Sequence, residues 1–242
     1  VRAAAGPHYD NHPSPIDKGI MGTQIELTAS DGVTISAYRA DPAGKPRGGL
    51  IVCQEIFGVN VHVRGVCDRY AQEGYLAIAP AFFDRVQPGV ELGYEPDDIA
   101  KGRELMQKVS IDNALKDVAA ALAIASEAGK VGIVGYCWGG TVAWAAAARL
   151  DGLSAAIPYY GGGIAGMADK KPRIPTMAHF GEKDHAIPMT DVEKIRAAQP
   201  EVIVHTYAAG HGFNCEMRGS YDKPSADLAL SRSLEFLHRH VG

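Results

Sequence analysis

Apolar residues recur along the chain in two rhythms. Gln24 to Thr28 and Val33 to Arg39 alternate apolar and polar positions around Ser30-Asp31-Gly32, which predicts an antiparallel hairpin. From Gly49 onward the apolar residues run together instead. Gly49 to Cys53, Tyr75 to Ala79, Val131 to Val134, Leu153 to Tyr159, Thr176 to Phe180 and Glu201 to Tyr207 read as strands, the continuous runs being those of a buried, parallel sheet. Helical stretches lie between them: Val61 to Glu73, Asp97 to Val109, Ile111 to Ala128, Val142 to Ala148, Met189 to Ala198 and about Ser225 to His240. Strand–helix alternation after a hairpin predicts one α/β domain, with a mostly parallel central sheet, helices on both faces and a mixed edge. Residues 1–20 are polar, rich in Pro, His and Ala, and without periodicity; they read as a flexible N-terminal arm or an expression remnant, and residues 21–242 as the domain. There is no repeat, no low-complexity segment and no second domain.

Composition narrows the partners more than the fold. The 242 residues, 46% hydrophobic and 21% charged, suit a globular chain with a substantial core. A net charge of −4 and the lack of a basic stripe argue against a nucleic-acid partner. No apolar run is long enough for a membrane span, and the first residues show neither an apolar signal core nor twin arginines. Cys53, Cys67, Cys137 and Cys215 form no CxxC and no Cys/His zinc spacing, so no metal site is expected. Scattered free thiols fit a reducing cytoplasm.

The chemistry gathers at Gly135-Tyr136-Cys137-Trp138-Gly139. An apolar strand leads into it and an alanine-rich helix leaves it. This is the strand–turn–helix setting of a nucleophile elbow, with cysteine where serine is commoner. Flanking glycines suit the tight turn, and the following helix aims its positive end at the sulfur, which favours a thiolate. A buried cysteine in a glycine-rich turn is the plainer alternative.

A cysteine nucleophile needs a base and a group to orient it. Asp184, in Gly181-Glu182-Lys183-Asp184-His185, follows one strand, and His211, in Ala209-Gly210-His211-Gly212-Phe213, follows the last. Nucleophile, acid and histidine thus come in the α/β-hydrolase order, each at a strand's carboxyl end. Taken alone, Asp184 reads equally as a turn residue. His211, between two glycines, is the favoured base over His185. Glu55 directly follows a buried strand, in Gln54-Glu55-Ile56-Phe57-Gly58-Val59-Asn60, a loop where open α/β sheets place ligands. It is either a solvated loop carboxylate or a second proton acceptor.

These four motifs, in order from about Gln24 to the C-terminus, resemble the dienelactone hydrolase (carboxymethylenebutenolidase) family. The resemblance implies a single-domain α/β hydrolase, monomeric and free of cofactors, that cleaves a small lactone or ester carrying a carboxylate. By the same resemblance, Cys137 attacks the carbonyl, His211 relays protons, Asp184 holds the imidazole, and Glu55 contacts the thiol in the free enzyme and accepts its proton. The backbone N–H groups of Ile56 and Trp138 form the oxyanion hole. Arg85 matches one family arginine that binds the substrate carboxylate. The second would lie at Cys215, and the nearest arginine is Arg218. Phe57 and Tyr160, on loops after two strands, complete the expected substrate-binding set. The missing arginine, and Trp138 where smaller apolar residues are common, leave other readings open: a broad carboxylesterase or thioesterase, a non-catalytic binding module on the same fold, or a thiol redox sensor using Cys215 or Cys53.

Overall fold

The computed structural model describes residues 22–242; the arm assigned to residues 1–20 lies outside them. Eight strands form one sheet. They are β1 (Thr23–Thr28), β2 (Thr34–Ala40), β3 (Gly48–Cys53), β4 (Tyr75–Pro80), β5 (Val131–Tyr136), β6 (Leu153–Tyr159), β7 (Met177–Gly181) and β8 (Ile203–Tyr207). Their spatial order is β1-β2-β4-β3-β5-β6-β7-β8. The pairs β1/β2 and β2/β4 are antiparallel and every other pair is parallel, so the alternating hairpin forms the mixed edge. The helices are α1 (Val61–Gln72), α2 (Pro96–Lys108), α3 (Ile111–Ala125), α4 (Trp138–Arg149), α5 (Met189–Ala198) and α6 (Lys223–His240).

The strand pleat sorts side chains onto two faces. Leu50 and Val52 of β3 pack in the core that holds α1 residues Val63, Val66 and Tyr70 and α6 residues Phe236 and Leu237. Ile51 and Cys53, one residue out of step, join the opposite core with Leu115 and Val118 of α3 and Val142 and Ala146 of α4. β3, β4 and β5 are buried along their whole length, as their unbroken apolar runs require. A polar network pins α6 to the sheet: Ser233 Oγ is 2.7 Å from Tyr159 Oη and 3.1 Å from His179 Nε2, and His179 Nδ1 is 2.7 Å from Tyr207 Oη. Burial holds His179 well below the ordinary imidazole range, hence neutral.

Element ends differ from the sequence expectation for local reasons. α3 stops at Ala125 because Ser126–Ala128 tightens into a 3₁₀ turn ending at Gly129, whose φ of 115° only glycine tolerates readily. α6 starts at Lys223, two residues early, because the Asp222 carboxylate accepts from Ser225 N at 2.9 Å and Pro224 occupies the first turn. β8 starts at Ile203, after a turn closed by Val202 N donating to Gln199 O at 3.1 Å. Among the described residues no helix is long and apolar enough to cross a membrane.

Candidate active site

β5 and α4 meet at Cys137, whose backbone sits at φ 55° and ψ −119°. This is a strained conformation for a residue with a side chain, of the sort retained where geometry matters. Neighbouring glycines make room for it. A Cβ on Gly135 would collide with the Gly139 carbonyl, and one on Gly139 with the Cys53 carbonyl. Cys137 N donates to Tyr159 O at 3.0 Å and its carbonyl accepts from Gly140 N at 2.9 Å, so the turn is held from both sides. The helix begins at the very next residue, Trp138, earlier than the alanine-rich stretch indicates.

His211 Nε2 lies 3.2 Å from Cys137 Sγ, and His211 Nδ1 lies 2.7 Å from Asp184 Oδ2. The Asp184 side chain is fully buried, and its other oxygen accepts from Ala186 N at 2.8 Å and Ile187 N at 3.2 Å. A carboxylate only accepts, so Nδ1 carries the proton and Nε2 faces the sulfur. Burial opposes charging of His211. Its contacts with Asp184 and Cys137 outweigh that and raise its pKa to about 10. Such an imidazolium stabilises a thiolate beside it.

A cavity of about 510 Å³ opens over Cys137 and His211. Ile56, Phe57, Trp138 and Arg218 line it, together with Ile99, Arg103 and Met106 of α2 and Ile111 of α3. Trp138 stacks on Phe83 and meets Phe82 edge-on, both at 5.6 Å between ring centroids. Trp138 is the first residue of α4, so its N–H has no partner within the helix. The Ile56 N–H makes no backbone hydrogen bond among the described residues. Gly102 lets α2 lie directly against the Ile56 carbonyl, where a Cβ would clash.

Three expectations are corrected here. Arg85 does not line the cavity. Its guanidinium is clamped by Asp117, with Nε to Oδ2 and Nη2 to Oδ1 both at 2.8 Å, and by Asp31, with Nη1 to Oδ2 at 3.0 Å; only 6% of its side chain is exposed. Tyr160 does not line it either. It is fully buried at φ 36°, with its ring edge-on to His211 at 5.2 Å. It therefore backs the histidine. Glu55 makes no hydrogen bond to the Cys137 thiol among the described residues: Oε1 accepts from Arg218 Nη1 at 3.1 Å, and Oε2 has no partner. His211 has taken the sulfur, and Arg218 has taken the carboxylate.

Arg218 does reach the site. Its guanidinium carbon also lies 5.7 Å over the Phe57 ring. Arg103 went unnoticed in the sequence because an arginine on a helix reads as solvated. It is exposed at the cavity and makes no ion pair among the described residues, whereas Arg85 is spent. Its neighbours Gly102 and Met106 offered the only hint that this turn of α2 faces inward.

One mixed sheet with a nucleophile elbow and an acid and a histidine at later strand ends defines an α/β hydrolase. The family model "Dienelactone hydrolase family" matches residues 35–241, and the chain belongs to that family. It is 36% identical over 225 residues to a "Putative carboxymethylenebutenolidase" of Synechocystis sp., covering 84% of this chain and 91% of that one. It is 34% identical over 226 residues to a "Carboxymethylenebutenolidase" of Pseudomonas putida, covering 88% and 94%. The crystal structure of a "Putative Dienelactone Hydrolase" from Klebsiella pneumoniae superposes with a TM-score of 0.82 at 32% identity, over 92% of this chain and 100% of that one. The protein is a hydrolase of small esters or lactones.

Proposed function

We propose that Cys137 is the nucleophile and that hydrolysis runs through a thioester acyl-enzyme. The observation that carries this reading is the continuous chain from Cys137 Sγ through His211 to Asp184 Oδ2, at 3.2 and 2.7 Å, beneath a cavity large enough for a small ester. His211 takes the thiol proton, and the thiolate attacks the carbonyl carbon. The oxyanion that forms is met by the N–H groups of Ile56 and Trp138. Collapse expels the alkoxide, which leaves with the proton from His211. Water, deprotonated by the same imidazole, then hydrolyses the thioester and restores the thiol. Asp184 keeps the imidazole in the tautomer that both steps need.

The substrate carries a carboxylate in this reading. Arg218 and Arg103 both line the cavity, and a guanidinium binds a carboxylate in a planar, two-point contact. Arg218 is held by Glu55 before substrate arrives. An anionic substrate competes for it and releases the Glu55 carboxylate from its ion pair.

The test is turnover of a dienelactone and of a neutral p-nitrophenyl ester by the same preparation. A higher kcat/KM for the dienelactone is expected. A preference for the neutral ester would leave the chemistry intact and move the protein to the carboxylesterase reading.

A further inference from the structure

Gly102 seats α2 against the loop that carries Ile56, because its missing side chain lets the helix backbone meet the Ile56 carbonyl. The turns of α2 on either side of that contact form one wall of the catalytic cavity. Ile99, Arg103 and Met106 stand four and then three residues apart in α2, so they share one helix face. All three line the cavity with Cys137, and Ile111, the first residue of α3, continues the wall.

This wall is apolar over most of its length. Ile99, Met106 and Ile111 are half-buried: each packs partly on the core beneath and presents surface to the cavity. From Ile99 to Met106 the stripe runs about 10 Å along the helix. Arg103, exposed between them, adds an aliphatic stem and a cationic head. The cavity's volume of about 510 Å³ is that of sites that enclose a drug-sized ligand. A dienelactone, one lactone ring with a short acidic arm, leaves much of that space and most of the α2 wall to water. Apolar surface facing water favours a ligand that covers it.

We propose that the substrate joins two parts: the carboxylate assigned above to the arginines, and an apolar ring or alkyl chain that lies along Ile99, Met106 and Ile111. Its class is an amphiphilic ester or lactone with an aryl or alkyl substituent, larger than an unsubstituted dienelactone. Met106 suits this role, since its unbranched, polarisable side chain adapts to rings and chains alike. Ile99, Met106 and Ile111 are then specificity-determining residues that take no part in the bond chemistry. The proposal rests on the hydrolase reading for the fate of the ester bond, and on the cavity wall alone for what is bound there.

The test is calorimetric binding of butyrate and of 4-phenylbutyrate, two product-like acids of equal charge, to the full chain. The phenyl acid is expected to bind about tenfold or more tightly, the usual gain from burying an aromatic ring, and to inhibit ester hydrolysis competitively. Met106→Gln and Ile111→Thr keep the shape of each side chain and make it polar. Each should cut the affinity ratio of the two acids about threefold or more and leave butyrate binding unchanged. Arg103→Gln should weaken both acids and keep the ratio. A misfolded variant would lose both acids together, so the ratio separates recognition from structure; circular dichroism checks each fold, and Ile111→Thr decides if Met106→Gln does not fold. Equal affinities in the wild-type chain would overturn the proposal. So would a preference for the phenyl acid that survives in both wall variants, or one without competitive inhibition, because the ring would then sit elsewhere. A protein that shows the ratio and its loss but turns over no ester would contradict the hydrolase reading instead.

Discussion

Arg218 Nη1 lies 3.1 Å from Glu55 Oε1, across 163 residues of chain. The Glu55 side chain is only 1% exposed and that of Arg218 19%. The pair joins the loop after β3 to the loop after His211. A carboxylate in that position opposes the negative charge that develops on a substrate oxyanion, and the guanidinium neutralises it in the resting protein. Removing one member leaves the other buried and unpaired.

Arg218→Ala is therefore expected to cost about 3 kcal/mol of stability, by the usual penalty for half of a buried ion pair. It is also expected to raise KM for a carboxylate-bearing substrate more than for a neutral ester. Chemical denaturation and paired steady-state kinetics read the two effects. An equal change in KM for both substrates removes Arg218 from substrate recognition.

Arg85→Ala is expected to behave oppositely. Asp117 is fully buried beneath the guanidinium, and burial pushes its carboxyl pKa up even with Arg85 beside it. Loss of the arginine leaves an uncompensated buried acid, again at a cost of about 3 kcal/mol. KM for charged and neutral substrates should change alike. Arg103→Ala, on the exposed face of α2, should do the reverse, with unchanged stability and a KM effect confined to the anionic substrate.

These two arginines show what the sequence reveals and what it hides. β3, β5, β6, the elbow and the order of Cys137, Asp184 and His211 were legible because hydrophobic period and turn chemistry are local. The partners of Arg85 are not local: Asp117 is 32 residues away and Asp31 is 54 away. Nothing in the loop after Ala79-Pro80 shows that both will claim it. Tyr160 hid its burial in the same way, since a tyrosine before three glycines reads as a loop residue.

Gly135→Ala is expected to abolish activity and to destabilise the fold, because its methyl would enter the Gly139 carbonyl. Overpacking of this kind costs about 1–3 kcal/mol even where neighbours can yield, and here the neighbour is backbone. A Gly135→Ala protein with wild-type Tm and turnover would show that the elbow is looser than its geometry indicates.

The pH dependence of stability carries the sign of His211. Its pKa is raised to about 10 in the folded protein, against about 6.5 in an unfolded chain. The folded state thus binds the proton more tightly, and the stabilisation is complete below about pH 6.5 and is lost as pH rises toward 10. Tm should fall across that window. The fall should be shallower in His211→Asn, measured by calorimetry in buffers matched for ionic strength; parallel wild-type and variant profiles would separate His211 from the effect.

The central claim is that the Cys137 sulfur carries the acyl group during turnover. Rapid quenching of the reaction with p-nitrophenyl acetate, followed by peptide mass spectrometry, tests it most directly. The account predicts an acetyl group on the peptide containing Cys137 at steady state, and a loss of about four orders of magnitude or more in kcat for Cys137→Ala. Acetylation of another residue, or an alanine variant that turns over normally, would contradict it.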